Sequence, residues 1–174
     1  DGTLLSFTYE RDQKVLAWAR HPTVKGTVED ICTVPSPAKK RQDLWAIVSR
    51  ALAGGTVRRI ECLSPFFQKT DKNVRNAVFA DAAKVYSGAP TTTVTGLSLL
   101  NGEAVSVLAD GKVVRGLTVA SGAITLPKAA SSVIVGLPMT STLRTLRCDK
   151  DVPGGALSVK PVRTPALTVD VMDS

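Results

Sequence analysis

The chain has 174 residues, 44% hydrophobic and 21% charged, which is enough for one compact domain or two small ones and lies outside the composition of disordered chains. Lys and Arg total 22 against 15 Asp and Glu, a formal charge of +7, so a nucleic-acid partner has to be weighed. No apolar run approaches the roughly 20 residues of a membrane-spanning helix, and no membrane anchor is expected.

Period-two alternation and abundant β-branched residues predict strands rather than helices. The opening Asp1-Gly2-Thr3-Leu4-Leu5 reads as a turn entering a strand, with neither an initiating Met nor a signal-peptide pattern, and the chain is expected to be a piece of a longer polypeptide. Leu5, Phe7 and Tyr9 share one face of the first strand, and the polar turn Glu10-Arg11-Asp12-Gln13 follows. The return strand sets Leu16 and Trp18 opposite Val15, Ala17 and Ala19, so this hairpin is expected to be buried at least partly on both faces. A third strand runs from Val28 to Val34 and breaks at Pro35-Ser36-Pro37. A basic loop, Ala38 to Gln42, leads to Leu44-Trp45-Ala46-Ile47-Val48, a short apolar run suited to a central strand. Ala53-Gly54-Gly55 turns the chain, and Thr56 to Leu63 returns. Residues 1–64 are therefore expected to be a module of antiparallel hairpins.

Residues 65–90 read as a connecting segment, polar from Lys69 to Ser87, in which Ala77 to Lys84 fits either a short helix or an extended stretch. Gly88-Ala89-Pro90 closes it. Residues 91–146 carry the clearest pattern. Asn101-Gly102 precedes Ala104 to Ala109, Asp110-Gly111 favours a two-residue hairpin turn, and Lys112-Val113-Val114 is the return strand. Ser121-Gly122 and Pro127 bracket Ala123 to Leu126, and Ser132 to Leu137 places Val133, Val135 and Leu137 on one side. So many short strands suggest a small closed barrel, because closure removes exposed edges. Residues 147–174 read as an extended C-terminal arm with one added strand, Leu157 to Lys160.

The charge excess is spread along the chain. Basic against acidic residues number 10 and 7 in 1–64, 4 and 2 in 65–90, 3 and 2 in 91–137, and 5 and 4 in 138–174. The tightest groups, Lys39-Lys40-Arg41 and Arg58-Arg59, lack the interleaved aromatics of a single-strand-binding platform, so a solvated basic surface is expected. In a ring of many copies, a modest charge per chain would still line a channel.

Cys32, Cys62 and Cys148 match neither a disulfide framework nor a metal site, and read as free thiols; if the strands that carry them are neighbours, Cys32 and Cys62 are expected to be small core residues rather than ligands. His21, the only histidine, precedes Pro22 and is expected at a strand end. Gly54-Gly55 and Gly154-Gly155 lack phosphate-loop spacing. The acidic pairs Glu29/Asp30 and Asp149/Asp151 fit solvated loops better than the two spaced carboxylates of a glycosidase. Trp18 and Trp45 are expected in the core. No catalytic, cofactor-binding or metal-binding residue is singled out, and no enzyme activity is expected.

Taken together, Asp1-Gly2-Thr3-Leu4, Tyr9-Glu10-Arg11-Asp12-Gln13-Lys14-Val15-Leu16-Ala17-Trp18, His21-Pro22-Thr23, Asp43-Leu44-Trp45-Ala46-Ile47-Val48 and Val57-Arg58-Arg59-Ile60-Glu61 resemble a recurrent segment of bacteriophage tail proteins. Leu97-Ser98-Leu99-Leu100-Asn101-Gly102, Val105 to Gly111, Gly122 to Leu126 and Val133 to Leu143 resemble the module that follows it. The group is that of the tail tubular or nozzle proteins of short-tailed phages, and the resemblance covers about residues 1–146; the loop Ser36 to Gln42 and the tail after Cys148 lie outside it. It implies an all-β fold, an antiparallel propeller-like sheet segment followed by a small β-barrel or sandwich module. It also implies a structural role in the virion tail, assembled in the host cytoplasm as a ring through which DNA leaves. The partners expected are other copies of the chain and neighbouring tail proteins, with at most weak, non-specific contact with DNA. The competing expectation is an adhesion module for a host-surface glycan or another tail protein.

Overall fold

A computed structural model of the chain describes residues 2–36, 41–65, 67 and 73–142, with the backbone of 151–152 and 155–156. Its regular structure there is strand and 3-10 turn, and every strand pairing is antiparallel. β1 (Leu4–Glu10) and β2 (Val15–His21) form a two-stranded ribbon. β3 (Gly26–Ser36), β4 (Arg41–Leu52) and β5 (Gly55–Cys62) form a meander with β4 in the middle. β6 (Ala80–Thr95), β7 (Ala104–Ala109), β8 (Lys112–Thr118) and β9 (Ala123–Pro138) form a four-stranded sheet of order β6-β9-β7-β8. Residues 1–139 make one compact unit and residues 140–174 a second. In the second, β10 (Asp151–Val152) and β11 (Gly155–Ala156) pair with each other. Among the described residues the sheets stay open, with neither a closed barrel nor a propeller.

The core lies on one face of the four-stranded sheet. Val94, Val105, Val107, Ile124, Val133, Val135 and Leu137 meet there, joined by Leu97 and Leu100 from the 3-10 turn Ser98–Leu100 and by Leu52 from the end of β4. β9 is central and buried on both sides: Val133, Val135 and Leu137 face the core as expected, and Ile134 on the other side is only 2% exposed.

Several boundaries differ from the sequence expectation because a strand tolerates a breaker where its pairing lapses or where it lies at the edge of a sheet. Pro127 falls between Thr125, paired with Thr93, and Ala130, paired with Thr91. The two strands expected on either side of it are one bent strand, β9. Gly88-Ala89-Pro90 falls in a second lapse, between the pairs Ser87 with Ser132 and Thr91 with Ala130, so β6 runs straight through. Pro35 is paired with Gln42 on the edge strand β3, which extends to Ser36. The stretch Ala77 to Lys84 is not helical: a 3-10 turn at Val74–Asn76 is followed by buried Ala77 and then by β6. The strand expected at Leu157 to Lys160 lies outside the described residues.

The hairpin ribbon is the main correction. It is exposed over most of both faces, every residue from Val15 to Arg20 included, and only Leu4, Ser6 and His21 at its base are half-buried. Trp18 is 71% exposed, and Trp45 is half-buried. Neither belongs to the core.

The Asp110-Gly111 turn is as expected. It joins Ala109 to its partner Lys112, with both residues in the left-handed region, Asp110 at φ 48 and Gly111 at φ 82. The Asp110 carboxylate accepts from Ser132 N at 3.0 Å and from Ser131 N at 3.3 Å, which fastens the turn to β9. Gly111→Val puts a β-branched side chain at a left-handed φ and is expected to cost more than about 1 kcal/mol. A thermal melt checks this, and an unchanged midpoint would show that the turn tolerates the substitution.

Candidate functional surface

The surface begins with a buried cation. Arg50 alternates with Val48 and Leu52 on β4, and all three are buried on one face of the meander. Arg50 is 0% exposed and uses its fork fully. Nε and Nη2 donate to Glu61 Oε1 and Oε2, both at 2.6 Å. Nη2 and Nη1 donate to Asp81 Oδ1 and Oδ2 at 2.9 and 3.2 Å, and Nη1 also reaches the Val24 carbonyl at 2.6 Å. Burial by itself would lower the Arg50 pKa, but the hydrogen bonds and charges of Glu61 and Asp81 outweigh it and raise the pKa above its ordinary value. Bidentate geometry of this kind is what makes a buried guanidinium tolerable.

Asp81 reaches Arg50 because β6 bulges there. Asp81 pairs with Leu137 and Lys84 with Val135, so Ala82 and Ala83 together oppose Gly136. A Cβ on Gly136 would lie 2.8 Å from both the Ala80 Cβ and the Asp81 carbonyl oxygen. Glycine is what lets the bulge close onto β9. A second joint lies nearby: Glu103, 4% exposed, accepts from Lys25 Nζ at 2.6 Å and from Ala53 N at 2.7 Å. The Lys25 hydrogen bond, opposed by burial and helped by the Ala53 amide, holds the Glu103 carboxyl below its usual range.

These joints pack only one end of the meander, and two apolar faces are left in solvent. On the ribbon, cross-strand pairing puts Leu5, Phe7, Tyr9, Leu16 and Trp18 on one side, each 48 to 71% exposed. The Phe7 and Trp18 rings lie 4.8 Å apart and tilted by 39°. On the outer side of the meander, Trp45, Ile47, Ile60 and Val34 share a face with Cys32 and Cys62; Ile60 is 72% and Val34 45% exposed. Exposed apolar surface concentrated in this way marks an interaction site more often than scattered residues do.

The other residues weighed from the sequence have structural placements. Cys32 and Cys62 both pair with Trp45, one from each side, and both are exposed, so they are neither core residues nor within disulfide reach of each other. His21 ends β2, with its Nε2 2.7 Å from the Ser6 hydroxyl. Glu29 sits at the bulge of β3 and pairs with Arg58, while Asp30 lies beyond the bulge on the outer face. Arg41 bonds Asp43. Arg58 and Arg59 alternate in β5 and so point to opposite faces. Cys148, Asp149 and the Lys39-Lys40 pair lie outside the described residues. Open depressions lie beside Gly54 and Val57 and between Gln42 and Leu63. Sequence reasoning missed Arg50; its signal was a charged residue in phase with Val48 and Leu52. No family model and no curated protein matches the chain.

Asp81→Ala removes the Arg50 contact on β6 and the acceptor of Val24 N, and is expected to cost about 3 kcal/mol, as breaking a buried ion pair does. Denaturant titration checks it, and a loss under about 1 kcal/mol would contradict the role given to the joint. Glu103 makes a separate pH prediction. Its carboxyl titrates lower folded than unfolded, so its stabilisation is full above the ordinary carboxylate pKa and is lost as pH falls through the depressed value. The stability gap between wild type and Glu103→Gln should therefore shrink between about pH 6 and about pH 3. A gap constant across that range would contradict it.

Proposed function

We propose that the chain is a structural component of a bacteriophage tail, of the nozzle or tail-tube kind, and part of the virion assembly through which DNA is delivered. The observation that carries this reading is the exposed apolar ribbon face, because surfaces covered by neighbours in an assembly stand bare on an isolated chain. The sequence resemblance over residues 1–146 supports it. In this reading β1 to β5 belong to a propeller-like part and β6 to β9 to the barrel-like module. Any contact with DNA is weak and non-specific, because DNA must pass through.

The competing reading, an adhesion module for a host-surface glycan or another tail protein, draws support from one observation. Phe7, Tyr9 and Trp18 stand exposed in a row, as a sugar-stacking platform would. A glycan array separates the glycan form of this reading from the structural one, which predicts no binding to it; an array without binding leaves the form that binds another tail protein standing.

The direct test is to purify virions and locate the chain by mass spectrometry and electron microscopy, alongside filter binding to unrelated DNA duplexes. The reading predicts the chain in the tail, and DNA affinity that is weak, indifferent to sequence and falling with added salt. A chain absent from purified virions, or tight sequence-selective DNA binding, would overturn it.

A further inference from the structure

The ribbon face is large enough to be one half of an interface. Each aromatic ring offers on the order of 150–250 Å², so Leu5, Phe7, Tyr9, Leu16 and Trp18 at their observed exposures present on the order of 600 Å² of apolar surface, near the roughly 800 Å² per partner of a stable complex. A two-stranded ribbon standing alone is also marginal in water and gains most from being covered. The outer face of the meander has the same needs. Ile47 and Ile60 are cross-strand partners there, with Trp45 two residues along β4.

Charge and spacing select the match. Arg20 is the cross-strand partner of Leu5 and so stands on the aromatic side of the ribbon. Asp30 is the partner of Ile47 and stands on the outer face of the meander. Both are exposed, and among the described residues neither is in an ion pair. With Arg20 set over Asp30 and β2 laid antiparallel to β3, the two-residue repeat of both sheets brings Trp18 over the row of Trp45, and Leu16 with Tyr9 over the row of Val34. The two faces are exposed on one chain, so they are not packed on each other within it.

We propose that the aromatic ribbon face of one copy packs on the Trp45–Ile47–Ile60 face of the next copy, with Arg20 of the first opposite Asp30 of the second. This deepens the tail-component reading and rests on it for the identity of the partner. The two faces differ, so the contact is head-to-tail, the kind that generates rings when the rotation closes.

Sedimentation velocity of the full chain over a concentration series tests it, with circular dichroism and melts confirming that each variant is folded. Wild type is expected to associate as concentration rises. Arg20→Asp and Asp30→Arg should each raise the concentration needed by at least about tenfold, and the double variant should recover most of that loss. A wild type that stays monomeric throughout, single charge reversals without effect, or a double variant no better than the singles would overturn the proposal. So would loss of association in Leu16→Arg with none in Asp30→Arg, since the ribbon would then be packing elsewhere. These failures leave the virion measurement untouched, and a chain missing from virions leaves the association result standing, so the two readings fail separately.

Discussion

A guanidinium with no exposed surface, held by Glu61, Asp81 and the Val24 carbonyl, is the constraint on which the arrangement of the first 139 residues turns. Removing a cation from water is costly, and the cost is offset only when every donor finds an oxygen in good geometry. Each of those oxygens comes from a different segment: β5, the bulge of β6 and the loop before β3. The meander can therefore meet the edge of the four-stranded sheet in very few ways. Gly136 belongs to the same device, because it admits the bulge that presents Asp81. Apolar packing at that junction, chiefly Leu52 against the core of the four-stranded sheet, contributes area, while the Arg50 network supplies direction.

Anchoring the meander at one end leaves its outer side and the β1–β2 ribbon without cover among the described residues. The ribbon shows what this means energetically. Its face has the alternation of a core-forming strand, yet Tyr9, Leu16 and Trp18 are all more than 60% exposed. Side chains of that size are worth roughly 1.5–3 kcal/mol each when removed from water. A neighbour that covered them would gain most of that, less the cost of association. The assembly reading and the proposed contact follow from where this surface is left.

Much of the fold could be read from local chemistry. The turns at Ala53-Gly54-Gly55, Asp110-Gly111 and Ser121-Gly122 were legible because glycine, Asp and Ser at those spacings serve left-handed φ angles, and the all-β antiparallel character followed from alternation. The continuity of β6 and β9 was not legible. A proline or a Gly-Ala-Pro run reads as a break, and whether it lies in a paired or an unpaired stretch depends on a strand some 40 residues away. The exposure of Trp18 was illegible for a different reason: alternation identifies an apolar face and says nothing about what covers it. The Arg50–Asp81 contact spans 31 positions and leaves no local trace except a charge in phase with Val48 and Leu52. The candidate surface was thus visible as residues and hidden as a surface.

The central claim is that the aromatic ribbon face is bare on the single chain and covered in the assembly. Trp18 reports on it directly, since the chain has two tryptophans and Trp45→Phe leaves Trp18 as the only one while keeping an aromatic ring on the outer face, with sedimentation confirming that the variant associates as wild type does. Acrylamide quenching of that variant across a concentration series is the decisive measurement. The account predicts near-free quenching in dilute solution, falling severalfold as larger species form. Strong quenching that persists in the associated species, or a Trp18 already shielded when the chain is monomeric, would contradict it.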